Sequence, residues 1–194
     1  MLLVLTRHST MNKCDDLKKS VIHCDNGDKV ESVVYTNPQF AKKIIEYFQS
    51  QFQPNDLFLD PCKGQGAFYD HLPFNKDYCE IMEGKDFMKY DKKVNWIITN
   101  PPWRGKVYAP FTNHAFQQSD NVVYLVKLFG AIGTNRRLRD MNNNDHSLKE
   151  IIITDWKSAG FTYLDGSPKS GEGFILSVVH FQRGYQGGTT WTYW

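Results

Sequence analysis

The stretch DLFLDPCKGQGAF, residues 56–68, is a short apolar run that ends in an acid, a proline and two glycines. An apolar run of this length, with turn residues behind it, is typical of a buried strand. Gly64 and Gly66 suit a tight turn in which the backbone approaches a ligand without side-chain obstruction. Because ligands bind beyond the carboxyl ends of parallel strands, the pattern predicts a ligand site at Asp60 and the turn that follows it.

Five more short apolar runs follow this stretch, and each stops at a polar or glycine-containing junction. They are DYCEIME (77–83), VNWIITN (94–100), NVVYLVKLFG (121–130), EIIITDW (150–156) and GFILSVVHF (173–181). Several are continuous rather than alternating, which is typical of strands covered on both faces. The sequence therefore predicts an α/β fold with a mainly parallel central sheet and helices on both faces.

Three segments have the pattern of helices. The segment TNPQFAKKIIEYFQSQF, residues 36–52, offers a capping residue at Asn37 and a proline at the first helical position. It places three apolar side chains on one face, namely Phe40, Ile44 and Phe48. The segments GAFYDHL (66–72) and PFTNHAFQQ (110–118) are predicted to be crossover helices between strands.

The composition leaves the partner to be decided by local features. A net charge of +2 over 194 residues is too small to indicate nucleic acid by itself. No stretch approaches the ~18 apolar residues of a membrane span. The cysteines Cys14, Cys24, Cys62 and Cys79 lack paired CxxC spacing. The sequence therefore predicts neither disulfides nor a metal site. It predicts reduced thiols in a cytoplasmic protein.

The chain is predicted to hold one domain, residues 36–184, between an N-terminal extension (1–35) and an irregular tail (185–194). The opening MLLVL is too short for a secretory signal. Within the extension, DNGD at 25–28 predicts a hairpin turn.

The turn after the first strand is predicted to hold a nucleotide cofactor. A phosphate-binding loop is disfavoured because no GxxxxGK[ST] motif is present, and Tyr69 stands where a dinucleotide fingerprint needs its third glycine. Glu80, near the end of the next run, can accept hydrogen bonds from both ribose hydroxyls of an adenosine. Asp86 and Phe87 can hold an adenine by its amine and by its face. A ligand-free turn with solvated carboxylates is the alternative interpretation.

The segment TNPPW, residues 99–103, ends the third run with two residues that cannot extend a sheet. The side-chain carbonyl of Asn100 and the main-chain carbonyl of Pro101 would form two fixed acceptors, which Pro102 keeps rigid. Such a fork can bind both hydrogens of a planar amine, and Trp103 can stack on the ring that carries it. The alternative is a strand terminator with Trp103 capping the core.

Taken together, TNPPW and DPCKGQGAF resemble the S-adenosylmethionine-dependent methyltransferases that act on the exocyclic N6 amine of adenine in DNA. That family carries an [N/D]PP[Y/F/W] motif and a glycine-rich first motif on a class I, Rossmann-like sheet. YTNPQF (35–40) matches the gamma order of motifs, and the whole is similar to compact phage and bacterial members. The resemblance covers residues 35–181 and implies an adenine-specific DNA methyltransferase with S-adenosylmethionine as cofactor.

The resemblance also implies a role for each matching residue. The implied cofactor-binding residues are Thr36, Asp60, Pro61, Gly64, Gly66, Glu80, Asp86, Phe87 and Asn100. The implied catalytic residues are Asn100, Pro101, Pro102 and Trp103, with the target base lying on the tryptophan. The sequence departs from the family's motifs at two positions. Asn37 interrupts the frequent Thr-Pro pair, and Trp103 replaces the commoner tyrosine or phenylalanine.

A base inside a duplex cannot reach such a pocket, so it must be flipped out or presented on a single strand. Trp103 would compensate for the lost base stacking. The basic residues predicted to contact phosphates are Arg104, Lys106, Arg136, Arg137 and Arg139. The alternative for the arginines is a solvated helix start. The predicted partner is DNA, with RNA as the second choice, and neither membrane nor metal is expected.

Other functions stay open from the sequence. An RNA adenine methyltransferase or a protein glutamine methyltransferase could use the same fork, since both substrates present a planar amine. A catalytically silent nucleic-acid-binding module would keep the sheet without the chemistry, although it predicts damaged motifs. A nicotinamide-dependent oxidoreductase is disfavoured by Tyr69 and leaves Asn-Pro-Pro-Trp without a role.

Overall fold

The structure of the protein, a computed structural model, describes residues 34–103, 105–171 and 173–194. The hairpin turn predicted at 25–28 lies outside these residues, as do Arg104 and nearly all of the predicted N-terminal extension. The described part of the chain falls in one structural unit, Ser32–Trp194.

The described residues are organised around a seven-stranded sheet. Its strands are β1 (Phe58–Asp60), β2 (Lys76–Tyr78), β3 (Val94–Thr99), β4 (Ser119–Lys127), β5 (His146–Thr154), β6 (Leu176–Arg183) and β7 (Thr190–Tyr193). They lie side by side in the order β2-β1-β3-β4-β6-β5-β7. Strand β6 runs antiparallel to β4 and β5, whereas the other four pairings are parallel. The predicted α/β fold with a mainly parallel sheet is confirmed.

The described helices connect these strands or lie beside them. They are α1 (Pro38–Phe48), α2 (Gly105–Gln118), α3 (Leu128–Ile132), α4 (Asn135–Asn143) and α5 (Trp156–Ala159). Single 3-10 turns occur at Gln49–Gln51, Tyr69–His71, Ile81–Glu83 and Phe87–Lys89. Helix α2 confirms the crossover helix predicted at 110–118 and extends it toward the N-terminus.

Helix α1 forms as its sequence predicts. The Asn37 side chain accepts a hydrogen bond of 2.8 Å from the backbone N–H of Gln39, and Pro38 opens the helix. This cap satisfies a backbone donor that the first turn leaves without a partner. The predicted apolar face is confirmed, since its three residues are buried, namely Phe40, Ile44 and Phe48.

Two predicted elements are shorter than expected. The helix predicted at 66–72 is only the 3-10 turn Tyr69–His71, because Leu72 precedes Pro73 and takes an extended backbone (φ −61°, ψ 150°). The strand predicted at 77–83 ends at Tyr78. Glu80 then caps the next 3-10 turn, which Gly84 closes at φ +78°.

The prediction of an irregular tail is wrong for residues 190–193, which form strand β7. This strand pairs in parallel with β5, in a register that joins Glu150 to Thr190 and Ile153 to Tyr193. The Trp194 ring then packs edge-to-face against Phe40, with 6.0 Å between ring centroids. The alternating Thr-Trp-Thr-Tyr pattern suits a strand, but only its long-range pairing with β5 makes it one.

Helices cover both faces of the sheet. One core cluster joins α1 to the face that carries Trp96 and Ile98, and the other joins α2 to the face that carries Ile97. Successive residues of β3 therefore point into different clusters, as the pleat of a strand requires. This arrangement confirms the predicted layers and leaves the strand ends as the place where a ligand can reach the sheet.

The order of the strands creates a switch point between β1 and β3. The chain leaves β1 for β2 on one side, and then returns to place β3 on the other side of β1. The carboxyl ends of β1 and β3 flank this point, where open α/β sheets bind their ligands. Asp60 ends β1, and Thr99 ends β3 immediately before Asn100.

Candidate active site

Asp60 is a fully buried carboxylate at the switch point. Its Oδ1 accepts hydrogen bonds from the Thr99 hydroxyl at 2.8 Å and from the Cys62 backbone N–H at 3.2 Å. Its Oδ2 is also buried and makes no hydrogen bond of standard geometry among the described residues, although the Tyr69 backbone N–H is near enough to lower the pKa of the carboxyl. Burial raises the pKa of this carboxyl to about 7, even though the hydrogen bond from Thr99 favours the charged form.

The glycine turn beside Asp60 has the backbone that its sequence predicts. Gly64 and Gly66 have φ of +52° and +91°. Residues with a Cβ rarely adopt such positive values, whereas glycine adopts them readily. The Gly64 N–H donates a hydrogen bond of 2.7 Å to Glu80 Oε2, which ties the turn to the end of β2. A Cβ on Gly64 would lie 3.4 Å from the Tyr35 ring, so the turn also borders that tyrosine.

Replacing Gly66 by alanine is expected to destabilise the protein by about 1–3 kcal/mol, because its positive φ strains any residue with a Cβ. The added Cβ would also meet Asp70 Oδ2 at 2.9 Å. Urea denaturation of the variant measures this change. Gly188→Ala is the matched control, since no atom lies within 4 Å of its added Cβ. Equal midpoints for the two variants would show that the turn does not need glycine.

Glu80 lies where an adenosine ribose was predicted to bind, at the carboxyl end of β2. Its Oε2 accepts from Gly64, and its Oε1 accepts a hydrogen bond of 3.0 Å from the Met82 backbone N–H. Two backbone donors therefore fix the orientation of this carboxylate. Its contact with ribose hydroxyls stays a prediction.

The two residues predicted to hold an adenine occupy different environments. Asp86 Oδ1 accepts a hydrogen bond of 3.0 Å from the Met88 backbone N–H and so caps a 3-10 turn. Phe87 is only 4% exposed, and its ring lies 4.6 Å from that of Phe111 and 4.8 Å from that of His114. Phe87 therefore packs against α2 in this structure, and its contact with an adenine stays a prediction.

Asn100 and Thr36 meet at the switch point although 64 positions separate them. The Asn100 Nδ2 donates a hydrogen bond of 3.2 Å to the Thr36 hydroxyl, which is almost completely buried at the start of α1. With Nδ2 directed at Thr36, the Oδ1 of this amide is the atom that remains to accept from another group. Pro101 is buried and Pro102 half-buried, so the segment that carries the amide is held by packing.

Trp103 is half-buried and joins the core to the edge of the site. Its Nε1 donates a hydrogen bond of 3.2 Å to the Leu125 carbonyl. Its ring meets Trp156 and Phe161 edge-to-face, at centroid distances of 5.7 and 5.6 Å. Lys127 Nζ lies 5.4 Å from the same ring. The tryptophan is thus fixed by the core while part of its surface stays exposed.

The predicted phosphate contacts fall into two groups. Arg137 is largely engaged within the protein, since its Nη1 donates to the Phe129 carbonyl at 2.9 Å and its guanidinium lies 4.9 Å from the Tyr108 ring. The exposed group is Lys106, Arg136 and Arg139. Arg136 approaches Asp140 one helical turn away at 3.8 Å, a weak surface contact.

Burial favours the protonated form of the two thiols near the site. Burial raises the pKa of Cys62, and it raises the pKa of Cys79 to about 12. A protonated thiol is a poor nucleophile and a poor metal ligand. Within the described residues, no group of three or more His, Cys, Asp or Glu is placed to hold a metal ion.

The same residues include no helix long and apolar enough to cross a membrane.

Several site residues were missed from the sequence. Tyr35 borders the turn at Gly64, Thr99 donates to Asp60 and Trp156 meets Trp103, and each had an available signal. Tyr35 and Thr99 directly precede the predicted residues Thr36 and Asn100. Trp156 follows the carboxyl end of β5, the edge of a parallel sheet at which ligands bind.

The sequence matches no protein-family model, and it matches no curated protein. Its fold is nevertheless shared with solved structures. One is a candidate RNA methyltransferase from Pyrococcus horikoshii, which is 13% identical with a TM-score of 0.55. The similarity covers 89% of this chain and 98% of that chain.

Two others are modification subunits of type I restriction enzymes. The subunit of a candidate enzyme from Vibrio vulnificus is 14% identical, with a TM-score of 0.56, over 92% of this chain and 49% of that chain. The EcoKI M protein, classified as EC 2.1.1.72, is 13% identical, with a TM-score of 0.55, over 78% of this chain and 44% of that chain. This chain thus spans about half the length of these subunits. These likenesses show that it has the α/β fold of class I methyltransferases.

Proposed function

We propose that the protein transfers a methyl group from S-adenosylmethionine to the N6 amine of adenine in DNA, with the base turned out of the helix. The observation that carries this proposal is the hydrogen bond of 3.2 Å from Asn100 to Thr36. It holds an amide at the carboxyl end of β3, across the switch point from Asp60 and the glycine turn. An acceptor for a planar amine therefore stands beside the place where parallel sheets bind nucleotides.

The residues at the turn fit S-adenosylmethionine. Gly64 and Gly66 leave the backbone open to close approach, and the buried Oδ2 of Asp60 makes no hydrogen bond of standard geometry among the described residues. Two carboxylates, those of Asp60 and Glu80, suit a ligand that carries positive charge. Asp60, Thr36 and the turn would hold the amino-acid part, and Glu80 would hold the ribose. When bound, the cofactor supplies an electrophilic methyl group on its sulfonium.

The Asn-Pro-Pro segment would activate the acceptor nitrogen. The amine of adenine is a poor nucleophile because its lone pair is delocalised into the ring. Accepting its two hydrogens on Asn100 Oδ1 and the Pro101 carbonyl would favour a pyramidal nitrogen and direct the lone pair at the methyl group. The nitrogen loses one proton to water after the transfer. His114 is not assigned as a base, since its Nε2 lies 2.9 Å from the Tyr90 carbonyl.

The similarity to restriction-modification subunits supports DNA as the substrate, because the EcoKI M protein carries the classification of adenine-specific DNA methyltransferases. Adenine in RNA is the second candidate, and one observation favours it. The candidate RNA methyltransferase is matched over 98% of its length, whereas the restriction subunits are matched over about half of theirs. Methylation of DNA and RNA oligonucleotides of matched sequence separates the two.

Thermal unfolding with added S-adenosylmethionine tests the cofactor assignment. At 100 times its dissociation constant, a ligand of the folded state stabilises a protein by about 2.7 kcal/mol, which raises the unfolding temperature by several degrees. We expect this shift with S-adenosylmethionine and none with a nicotinamide dinucleotide. A shift with the dinucleotide alone would favour an oxidoreductase. The absence of a shift with either compound would refute the assignment of S-adenosylmethionine as the cofactor.

A further inference from the structure

An exposed apolar surface lies along the carboxyl edge of the sheet, beyond the residues used above. We call it the apolar rim and define it as Phe129, Trp156, Phe174 and Ile175. Three of these side chains are well exposed, Phe129 to 64%, Phe174 to 54% and Ile175 to 44%, while Trp156 is half-buried. Phe129 follows the end of β4, Trp156 follows the end of β5, and the other two precede the antiparallel strand β6. All four therefore lie at the edge that carries Asn100.

Two hydrogen bonds to rim carbonyls hold the backbone of the rim in place. The Trp156 Nε1 donates to the Phe174 carbonyl at 2.7 Å. The Leu128 N–H donates to the Ile175 carbonyl at 2.9 Å, which joins the segment before β6 to the start of α3. Exposed aromatic rings on a fixed backbone are suited to binding, because little conformational entropy is lost when a partner covers them.

The rim is continuous with Trp103 through a single cation. Lys127 Nζ lies 4.6 Å from the Phe174 ring, 5.9 Å from the Trp156 ring and 5.4 Å from the Trp103 ring. The ammonium thus connects the rim to the predicted surface for the target base. A surface of aromatic faces around a cation matches a nucleotide chain, whose bases stack and whose phosphates are negative.

The charge of the neighbouring segment points to the same partner. Residues 127–143 contain one lysine and three arginines but only one acid. Within that segment, Arg136 keeps 71% of its side chain exposed, and Arg139 is exposed as well. Phe129 lies between Lys127 and these arginines in the sequence, so an exposed ring is flanked by positive charge. This pattern matches a strand of nucleic acid better than an apolar protein surface.

We propose that the apolar rim binds the unpaired nucleotides that flank the target adenine, stacking a neighbouring base on Phe174 or Phe129. The identity of the target rests on the proposed function, but binding of flanking bases does not depend on methyl transfer. The shared chemistry is an unpaired base beside a phosphate, which single-stranded DNA and RNA both present.

Fluorescence anisotropy with labelled oligonucleotides tests the proposal. The strands are an all-thymine DNA, the same DNA with one central adenine, the matching RNA of uracil with one adenine, and a duplex. We expect Phe129→Ala and Phe174→Ala each to weaken binding of both single-stranded DNAs about tenfold, the effect of one lost base–aromatic stack. Phe74→Ala is the matched control, since Phe74 is fully exposed before β2, at the opposite edge of the sheet. It should bind like the original protein.

Three outcomes would count against the proposal that the rim binds flanking bases, whereas the RNA arm only identifies the kind of strand. Equal affinities for the rim variants and Phe74→Ala would overturn it, and so would failure of the unaltered protein to bind any single strand. A loss confined to strands that contain adenine would assign these rings to the target pocket instead. A larger loss on RNA than on DNA would identify the natural strand as RNA. If no methylated product forms while the rim variants still lose affinity, the proposed function fails and the rim stands.

Discussion

Replacing Asn100 by alanine is expected to lower the rate of methyl transfer to adenine by at least about 100-fold, the loss typical when one positioned hydrogen-bonding group is removed from a reacting centre. The variant loses the Oδ1 that is proposed to accept from the target amine, and it loses the Nδ2 that donates to the Thr36 hydroxyl at 3.2 Å. Its affinity for S-adenosylmethionine should change much less than its rate. Single-turnover kinetics and calorimetry measure the two quantities separately.

Two further variants make this test specific. Asn100→Asp keeps an oxygen acceptor at the same position, so it should retain more activity than the alanine variant. Asn55→Ala removes an exposed asparagine before β1, at the opposite edge of the sheet, and should behave like the original protein. Undiminished transfer by Asn100→Ala would show that the amide does not hold the amine.

Replacing Asp60 by asparagine is expected to remove a large part of the pH dependence of stability. Burial raises the pKa of Asp60 in the folded state to about 7, above its ordinary value of 3.8. The folded protein therefore holds this proton more tightly than the unfolded chain does. The stabilisation is fully present below about pH 4 and is lost as the pH rises through 7. At about 1.4 kcal/mol for each unit of pKa, the upper limit is about 4 kcal/mol.

Urea denaturation between pH 5 and 8 measures the effect. Relative to the original protein, Asp60→Asn should become progressively more stable as the pH rises, because it lacks the buried charge. The same variant should bind S-adenosylmethionine more weakly at pH 8, where the ionised carboxylate would face a cationic ligand. Asp91→Asn, at an exposed acid, is the control. A stability difference that does not vary with pH would refute the buried, proton-linked carboxyl.

The parts of the fold that the sequence predicted well are those with local signals. The cap at Asn37, the proline behind it and the apolar spacing of α1 lie within one segment, as do the run and turn around Asp60. Local turns at Leu72 and Glu80 shortened two predicted elements, whereas the prediction for the tail failed because of a pairing distant in sequence. Residues 190–193 become a strand only because β5 offers an edge some forty positions earlier.

The candidate site divides in the same way. The positions of the motifs predicted that Asp60, Gly64 and Asn100 lie at one edge of the sheet, because the carboxyl ends of parallel strands meet there. The sequence could not indicate that Asn100 would meet Thr36, or that Trp103 would be tied to Leu125, since both depend on packing of separate elements. Nor could it indicate the burial of Phe87, because an aromatic at a turn suits a core as well as a ligand.

The most direct test of the central claim is identification of the methylated product. The purified protein is incubated with S-adenosylmethionine and one substrate pool at a time, namely DNA, RNA or protein. Each pool is then digested and analysed by mass spectrometry. Asn100→Ala is the control. We expect N6-methyladenine in the nucleic acid, most of it in DNA, and at least about 100-fold less of it in the same time with Asn100→Ala. Methylation confined to protein, or an equal yield of N6-methyladenine from Asn100→Ala, would contradict the proposed function.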